Sequence, residues 1–208
     1  MLPWLMKLRL ATPRPVRKFM RIARAVFHEE PFSPMLTQEL VSSCRFVAER
    51  HDLLDVLPKD GVVAELGVLH GRFSKEILSR NTPRELHLFD LDFEKTDASV
   101  KDDPRVVLHA GALPASLSSL PPESCDWIYV DANHSYDGVA RDAEAAASRL
   151  KPGGFLVFND FAIIDPYFGQ YGVHRAVCEF ALKHQWRFVW FAFHNAGLYD
   201  VALEKPPV

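Results

Sequence analysis

Four clusters in this 208-residue chain carry residue types able to do chemistry. The first is Glu65-Leu66-Gly67-Val68-Leu69-His70-Gly71-Arg72-Phe73-Ser74, an acid and two glycines between an apolar run and a stretch with helical spacing. Glycine turns tightly and lets a ligand approach the backbone, and the helix that follows offers free N–H groups. In parallel α/β sheets such a junction opens a nucleotide site. Leu69 stands where a dinucleotide fingerprint has its second glycine, which disfavours NAD. Glu65, at the strand's end, suits a ligand carrying an ammonium group. The second cluster is Phe89-Asp90-Leu91-Asp92. An acid closing the second strand is placed to accept hydrogen bonds from ribose hydroxyls; Asp90 falls at that end, with Asp92 in reserve. The third and fourth are Asp131-Ala132-Asn133-His134-Ser135-Tyr136 and Asn159-Asp160-Phe161, which close further apolar runs.

The elements that must position these clusters follow from periodicity and breakers. Apolar runs predict strands over 62–66, 85–90, 105–110, 126–131, 155–158, 186–193 and 198–203. Helical spacing predicts helices over 36–54, 73–80, 139–150 and 173–184, and a helical turn over 116–120. The third of these helices is expected to stop at Lys151-Pro152-Gly153-Gly154. Strands alternate with helices and the chain closes on a hairpin around His194-Asn195-Ala196-Gly197. That pattern is a three-layer α/β fold, its sheet mostly parallel with an antiparallel edge.

Seven cations, Lys7 to Arg24, precede the first acid, Glu29; with a whole-chain net charge of −3, the remainder carries −10. An acidic body argues against a nucleic-acid partner. Residues 1–32 read as a basic arm or lid, with Val16, Phe19, Met20, Ala23 and Phe27 on one helical face, and 33–208 as the main domain. Three scattered cysteines, Cys44, Cys125 and Cys178, without a Cys-x-x-Cys pair, point to a reduced, cytoplasmic protein. No apolar run reaches the ~20 residues of a membrane span.

Taken together, Glu65-x-Gly67, Asp90, Asp131-x-x-His134-x-Tyr136, Leu150-x-Pro152-Gly153-Gly154 and Asn159-Asp160 resemble class I S-adenosylmethionine-dependent methyltransferases, over roughly residues 60–204. More narrowly they resemble the macrocin O-methyltransferase group, which methylates sugars in antibiotic pathways. The resemblance implies a Rossmann-like seven-stranded sheet in the order 3-2-1-4-5-7-6, with S-adenosylmethionine across the strands' carboxyl ends. It places Glu65, Gly67, Gly71 and Ser74 around the methionine part and Asp90 on the ribose. Gly111 and Ala112 fall beside the adenine and Asp131 near the cofactor. Ala112 departs from the family, which often has a polar or acidic side chain there.

The same resemblance implies chemistry at the strand ends. Neighbouring strands lie about 4.8 Å apart, so Asp131, Asn159 and Asp160 can converge on one hard cation such as Mg²⁺. Catechol O-methyltransferase is similar in using two acids and an amide. A metal there lowers the pKa of a bound hydroxyl, and His134, helped by Asp131, takes the proton. The expected acceptor is a small-molecule hydroxyl of a sugar, polyketide or other natural product, with Tyr167, Phe168 and Tyr171 near it and a homodimer plausible. Two other readings share these residues. One is a metal-independent methyltransferase with His134 acting alone. The other is a cofactor-binding scaffold without catalysis, which convergent acids at Asp131 and Asp160 disfavour.

Overall fold

In the computed structural model, residues 16, 32–165, 169–194 and 197–207 are described. The chain divides into units 1–32 and 33–208, and the sheet and the helices packed on it belong to the second. Apart from Val16 and Phe32, the basic arm lies outside the described residues, as do Tyr167 and Phe168.

In chain order the elements are α1 (Gln38–Val41), β1 (Arg45–Val47), α2 (Arg50–Val56), β2 (Val62–Leu66) and α3 (Arg72–Glu76), which continues into a π turn (Ile77–Asn81). Then come β3 (Glu85–Asp90), α4 (Ala98–Lys101), β4 (Val106–Ala110), a 3₁₀ turn (Ala115–Ser119) and β5 (Cys125–Val130). The chain ends with α5 (Tyr136–Ala147), β6 (Leu150–Phe158), the short pair β7 (Ile164–Asp165) and β8 (Gly169–Gln170), α6 (Val173–His184), β9 (Arg187–Ala192) and β10 (Asp200–Glu204).

One eight-stranded sheet runs β1-β9-β10-β6-β5-β2-β3-β4. It is parallel except at β10, which is antiparallel to both β6 and β9. From β4 to β9 the order is the one the family resemblance implies. Outside β9 lies an eighth strand that periodicity did not give. β1 pairs in parallel with β9, Phe46 opposite Phe191. The expected helix over 36–54 is therefore two short helices with a strand between them. Leu40 and Leu54 are buried as that helix required, but Ser42-Ser43-Cys44 turns the chain, and Arg45-Phe46-Val47 takes the extended form that aromatic and β-branched residues favour. The helix expected over 139–150 begins earlier, capped by the Ser135 hydroxyl, which accepts from the Gly138 N–H at 3.2 Å. It ends at Ala147. The Pro-Gly-Gly segment belongs instead to β6, because Gly153 donates to the Lys205 carbonyl at 3.0 Å and Lys205 donates back to Gly154 at 2.9 Å.

Period-two alternation builds the two cores. Ala64 and Leu66 of β2, Ile128 and Val130 of β5, and Leu156 and Phe158 of β6 face α5 and α6. Val63, Trp127, Tyr129 and Val157 face the opposite way, onto Leu53 and Leu54 of α2, Phe73 of α3 and Ile77 of the π turn. The second layer is pinned by Asn81, which is fully buried. Its amide donates to the carbonyls of Leu54 and Pro58 at 3.0 and 3.1 Å, and its oxygen accepts from Trp127 Nε1 at 3.3 Å. Replacing Asn81 with alanine orphans the Leu54 carbonyl in α2 and leaves the indole N–H only its bond to the Pro58 carbonyl at 3.2 Å. We expect a loss of about 2 kcal/mol, read as a lower urea midpoint at unchanged slope.

Candidate active site

The parallel hydrogen bonding continues one residue past each central strand. Gly67 N–H donates to Phe89 O at 2.8 Å, Asp131 N–H to Leu66 O at 2.8 Å, Gly111 N–H to Asp90 O at 2.9 Å and Asn159 N–H to Val130 O at 3.1 Å. Residues far apart in sequence are thereby set side by side along one edge. Gly67 must be glycine on two counts. Its φ is +91°, and a Cβ would lie 2.3 Å from the Asp131 carbonyl oxygen. The β2–α3 turn is packed directly on the end of β5.

Asp90 holds this turn. Its Oδ2 accepts from the N–H groups of Val68 and Leu69 at 2.9 and 2.8 Å, and its Oδ1 accepts from Leu91 N–H at 2.7 Å. Glu65 lies beneath, 2% exposed, accepting from the Ser74 hydroxyl at 2.5 Å. Burial pushes the Glu65 carboxyl up to about 8, against the Ser74 bond and the Arg50 charge, which favour its anion.

His134 sits between two acids. Its Nε2 lies 3.5 Å from Asp131 Oδ1 and 3.6 Å from Asp160 Oδ2. These separations are electrostatic contacts, too long for hydrogen bonds, and among the described residues Nε2 is buried without a hydrogen-bond partner. Burial disfavours the imidazolium, but Asp131, Asp160 and the Asn159 amide outweigh it and hold the pKa above the ordinary histidine value. Tyr171 stacks on the ring at 4.6 Å and 14°. Behind this group is a second one. Tyr129 Oη donates to Asp200 Oδ2 at 2.6 Å, and Asn159 Nδ2 donates to Tyr129 Oη at 3.1 Å and to Asp200 Oδ1 at 3.2 Å. Burial raises Asp200 to about 7. Arg50, which opens α2 and lies over the Phe73 ring at 5.2 Å, supplies the cation; burial works against its charge, while Tyr129, Asp200 and Asp131 hold it.

A cavity of about 650 Å³ gathers these groups. Of the residues singled out from sequence, Glu65, Gly67, Asp90, Gly111, Ala112, Asp131 and His134 line it. Ser74 and Gly71 do not. Ser74 supports Glu65 from below, and Gly71, at φ +71°, lies close against Thr96 and Val100. Asn159 and Asp160 stand behind the wall. The volume, the glycine turn and the acids at Glu65 and Asp90 suit a nucleoside bearing an amino acid.

The expected Mg²⁺ set of Asp131, Asn159 and Asp160 does not assemble. The Asn159 amide nitrogen is turned toward Tyr129 and Asp200, which leaves its oxygen on the side of His134. The obstacle is the His134 ring, which fills the gap between the two carboxylates. Among the described residues no three His, Cys, Asp or Glu side chains are grouped to hold a metal ion. The donor set thus does not fit a resident Mg²⁺.

Residues 64–161 match the family model described as a methyltransferase domain. The N-methyltransferase NodS from Bradyrhizobium japonicum WM9 superposes with a TM-score of 0.56 at 18% identity, over 76% of this chain and 94% of that one. Its complex with S-adenosyl-L-homocysteine gives 0.58 at 16% identity, over 76% and 86%. The fold is that of a class I S-adenosylmethionine-dependent methyltransferase. Spermidine synthase from Thermotoga maritima shares it, at TM-score 0.56 and 17% identity over 76% of this chain and 59% of that one. The chain matches no curated protein.

Within this methyltransferase fold three charged cavity residues escaped sequence reasoning: Arg50, Arg141 and Asp142. Asp142 carried a readable signal, an acid among the alanines of a helix whose neighbours Val139, Ala143 and Ala146 are core. Arg50 and its partner Asp200 carried none, since they meet only when β10 inserts beside β6.

The raised acids make stability depend on pH. An unfolded chain releases the protons of Glu65 and Asp200 near 4.5 and 3.8, whereas the folded chain keeps them to about 8 and about 7. Between those limits the folded state binds more protons, so stability falls as pH rises. His134, raised in the same sense, adds to the slope above its unfolded value. Urea midpoints measured from pH 5 to pH 8 are expected to decline, and Asp200→Asn is expected to flatten the decline.

Proposed function

We propose that the chain is an S-adenosylmethionine-dependent methyltransferase acting on a small-molecule hydroxyl, with His134 as general base and no resident metal. The observation that carries this reading is His134, held between Asp131 and Asp160 at 3.5 and 3.6 Å on the wall of the cavity that also presents Glu65 and Asp90. A hydroxyl is the acceptor that needs such a base, because a neutral amine brings its own free lone pair. The motif resemblance favours a sugar or polyketide hydroxyl of natural-product biosynthesis.

S-adenosylmethionine supplies an electrophilic methyl group on sulfonium sulfur. Glu65 and the Gly67 backbone receive the amino-acid end, with Arg50 as the cation for its carboxylate. Asp90 receives the ribose, and Gly111 and Ala112 border the base. Neutral His134 accepts the hydroxyl proton, and Asp131 and Asp160 stabilise the imidazolium that results. Orientation supplies much of the rest, since alignment of donor and acceptor removes an entropic barrier.

The test is methyl transfer to a panel of sugar and polyketide alcohols and matched amines. His134→Ala should lower kcat by about 10²–10⁴ while leaving the Kd for S-adenosylhomocysteine unchanged. The base works only when neutral, so kcat should fall as pH drops through the raised His134 pKa, and that limb should vanish in the variant. EDTA should leave the rate unchanged. A rate lost to EDTA and restored by Mg²⁺ would overturn the metal-free mechanism, and transfer to amines alone would overturn the acceptor assignment.

A further inference from the structure

We propose that Asp142 accepts the hydrogen bond of the adenine exocyclic amine, replacing the side chain that Ala112 does not supply. The proposal rests on the methyltransferase reading above and assigns a specificity residue within it. Helix α5 presents Gly138, Arg141 and Asp142 at the three- and four-residue spacing that shares one helix face, and all three line the cavity with Gly111, Ala112 and Leu113. Ala112 has no polar atom on its side chain. Asp142 has two, and it is 4% exposed.

No hydrogen bond joins the Asp142 carboxylate to any of the described residues. Its neighbour Arg141 is turned along the helix, its Nε donating to the Asp137 carbonyl at 3.0 Å. Burial accordingly pushes the Asp142 carboxyl up to about 6, with Arg141 only partly opposing. A carboxylate of an almost buried residue with no donor from the described residues takes its hydrogen bonds from the cavity it lines. The adjoining wall is apolar, with Phe89, Leu91 and Leu113 offering surface to a flat heteroaromatic ring. A planar base with one outward N–H₂ fits both features. A base with a carbonyl at that position does not, because its oxygen would face the carboxylate.

Titration calorimetry with S-adenosylhomocysteine and with its deaminated analogue, S-inosylhomocysteine, tests the assignment. The wild-type chain should prefer the adenosyl compound by about 10- to 100-fold, the range for a hydrogen bond to a charged group. Asp142→Ala should lose about that factor for the adenosyl compound and bind both equally. Asp142→Asn keeps the size of the side chain and guards against a folding defect. It can donate as well as accept, so it too should lose the preference. A purely structural role would weaken both ligands together and leave their ratio unchanged. A wild-type preference that survives in either variant overturns the proposal, as does wild-type binding of both compounds with no preference. A wild-type chain that binds neither compound overturns the methyltransferase reading, and this proposal with it.

Discussion

The site depends on the register of the parallel sheet. Each central strand ends pointing the same way, and one additional ladder bond past each end fixes where the next residue falls. Gly67, Asp131, Gly111 and Asn159 occupy those next positions. A slip of one residue in any pairing would carry a functional side chain to the opposite face. The alternation of the strands between two cores prevents such a slip, since it would also move Val63 or Trp127 out of the layer under α2 and α3 and into the opposite core. The packing that stabilises the fold and the alignment that builds the site are therefore one constraint.

The polar residues behind the cavity are costly to bury, and the structure offsets that cost in different ways. Asp200 is surrounded by donors from Tyr129 and Asn159. Glu65 keeps the Ser74 hydroxyl and the field of Arg50. Even so, desolvation wins at both acids. His134 goes the other way because two carboxylates flank it. Three titratable groups within one small region thus have their proton affinities raised together, two by the lack of water and one by negative charge. Such departures cluster where protein groups act on ligands.

How much of this was legible in the sequence depended on range. The strand–glycine–helix junction at Glu65–Ser74 and the strand-end acids could be read because each is a local pattern. Helix α6 falls on the residues that periodicity marked, 173–184. β1 was missed because three residues are too few to show alternation, and because Leu40 and Leu54 fit a single helix equally well. Strand-end adjacency predicted the backbone position of Asn159, and the direction of its amide is set by Asp200, 41 residues on. The Mg²⁺ expectation failed at His134, whose ring stands between the two carboxylates. Arg50 likewise acquires its partners only through the order in which the strands are laid down in space.

Asp90 grips the amides of Val68 and Leu69 through bonds internal to the fold. The turn is thus ordered by folding, and a ligand entering the cavity need not freeze it. Ordering costs that usually weaken binding are met in advance. A preformed cradle of this kind accepts its ligand on encounter, without a slow rearrangement, so differences in affinity among ligands are expressed chiefly in how long each one stays.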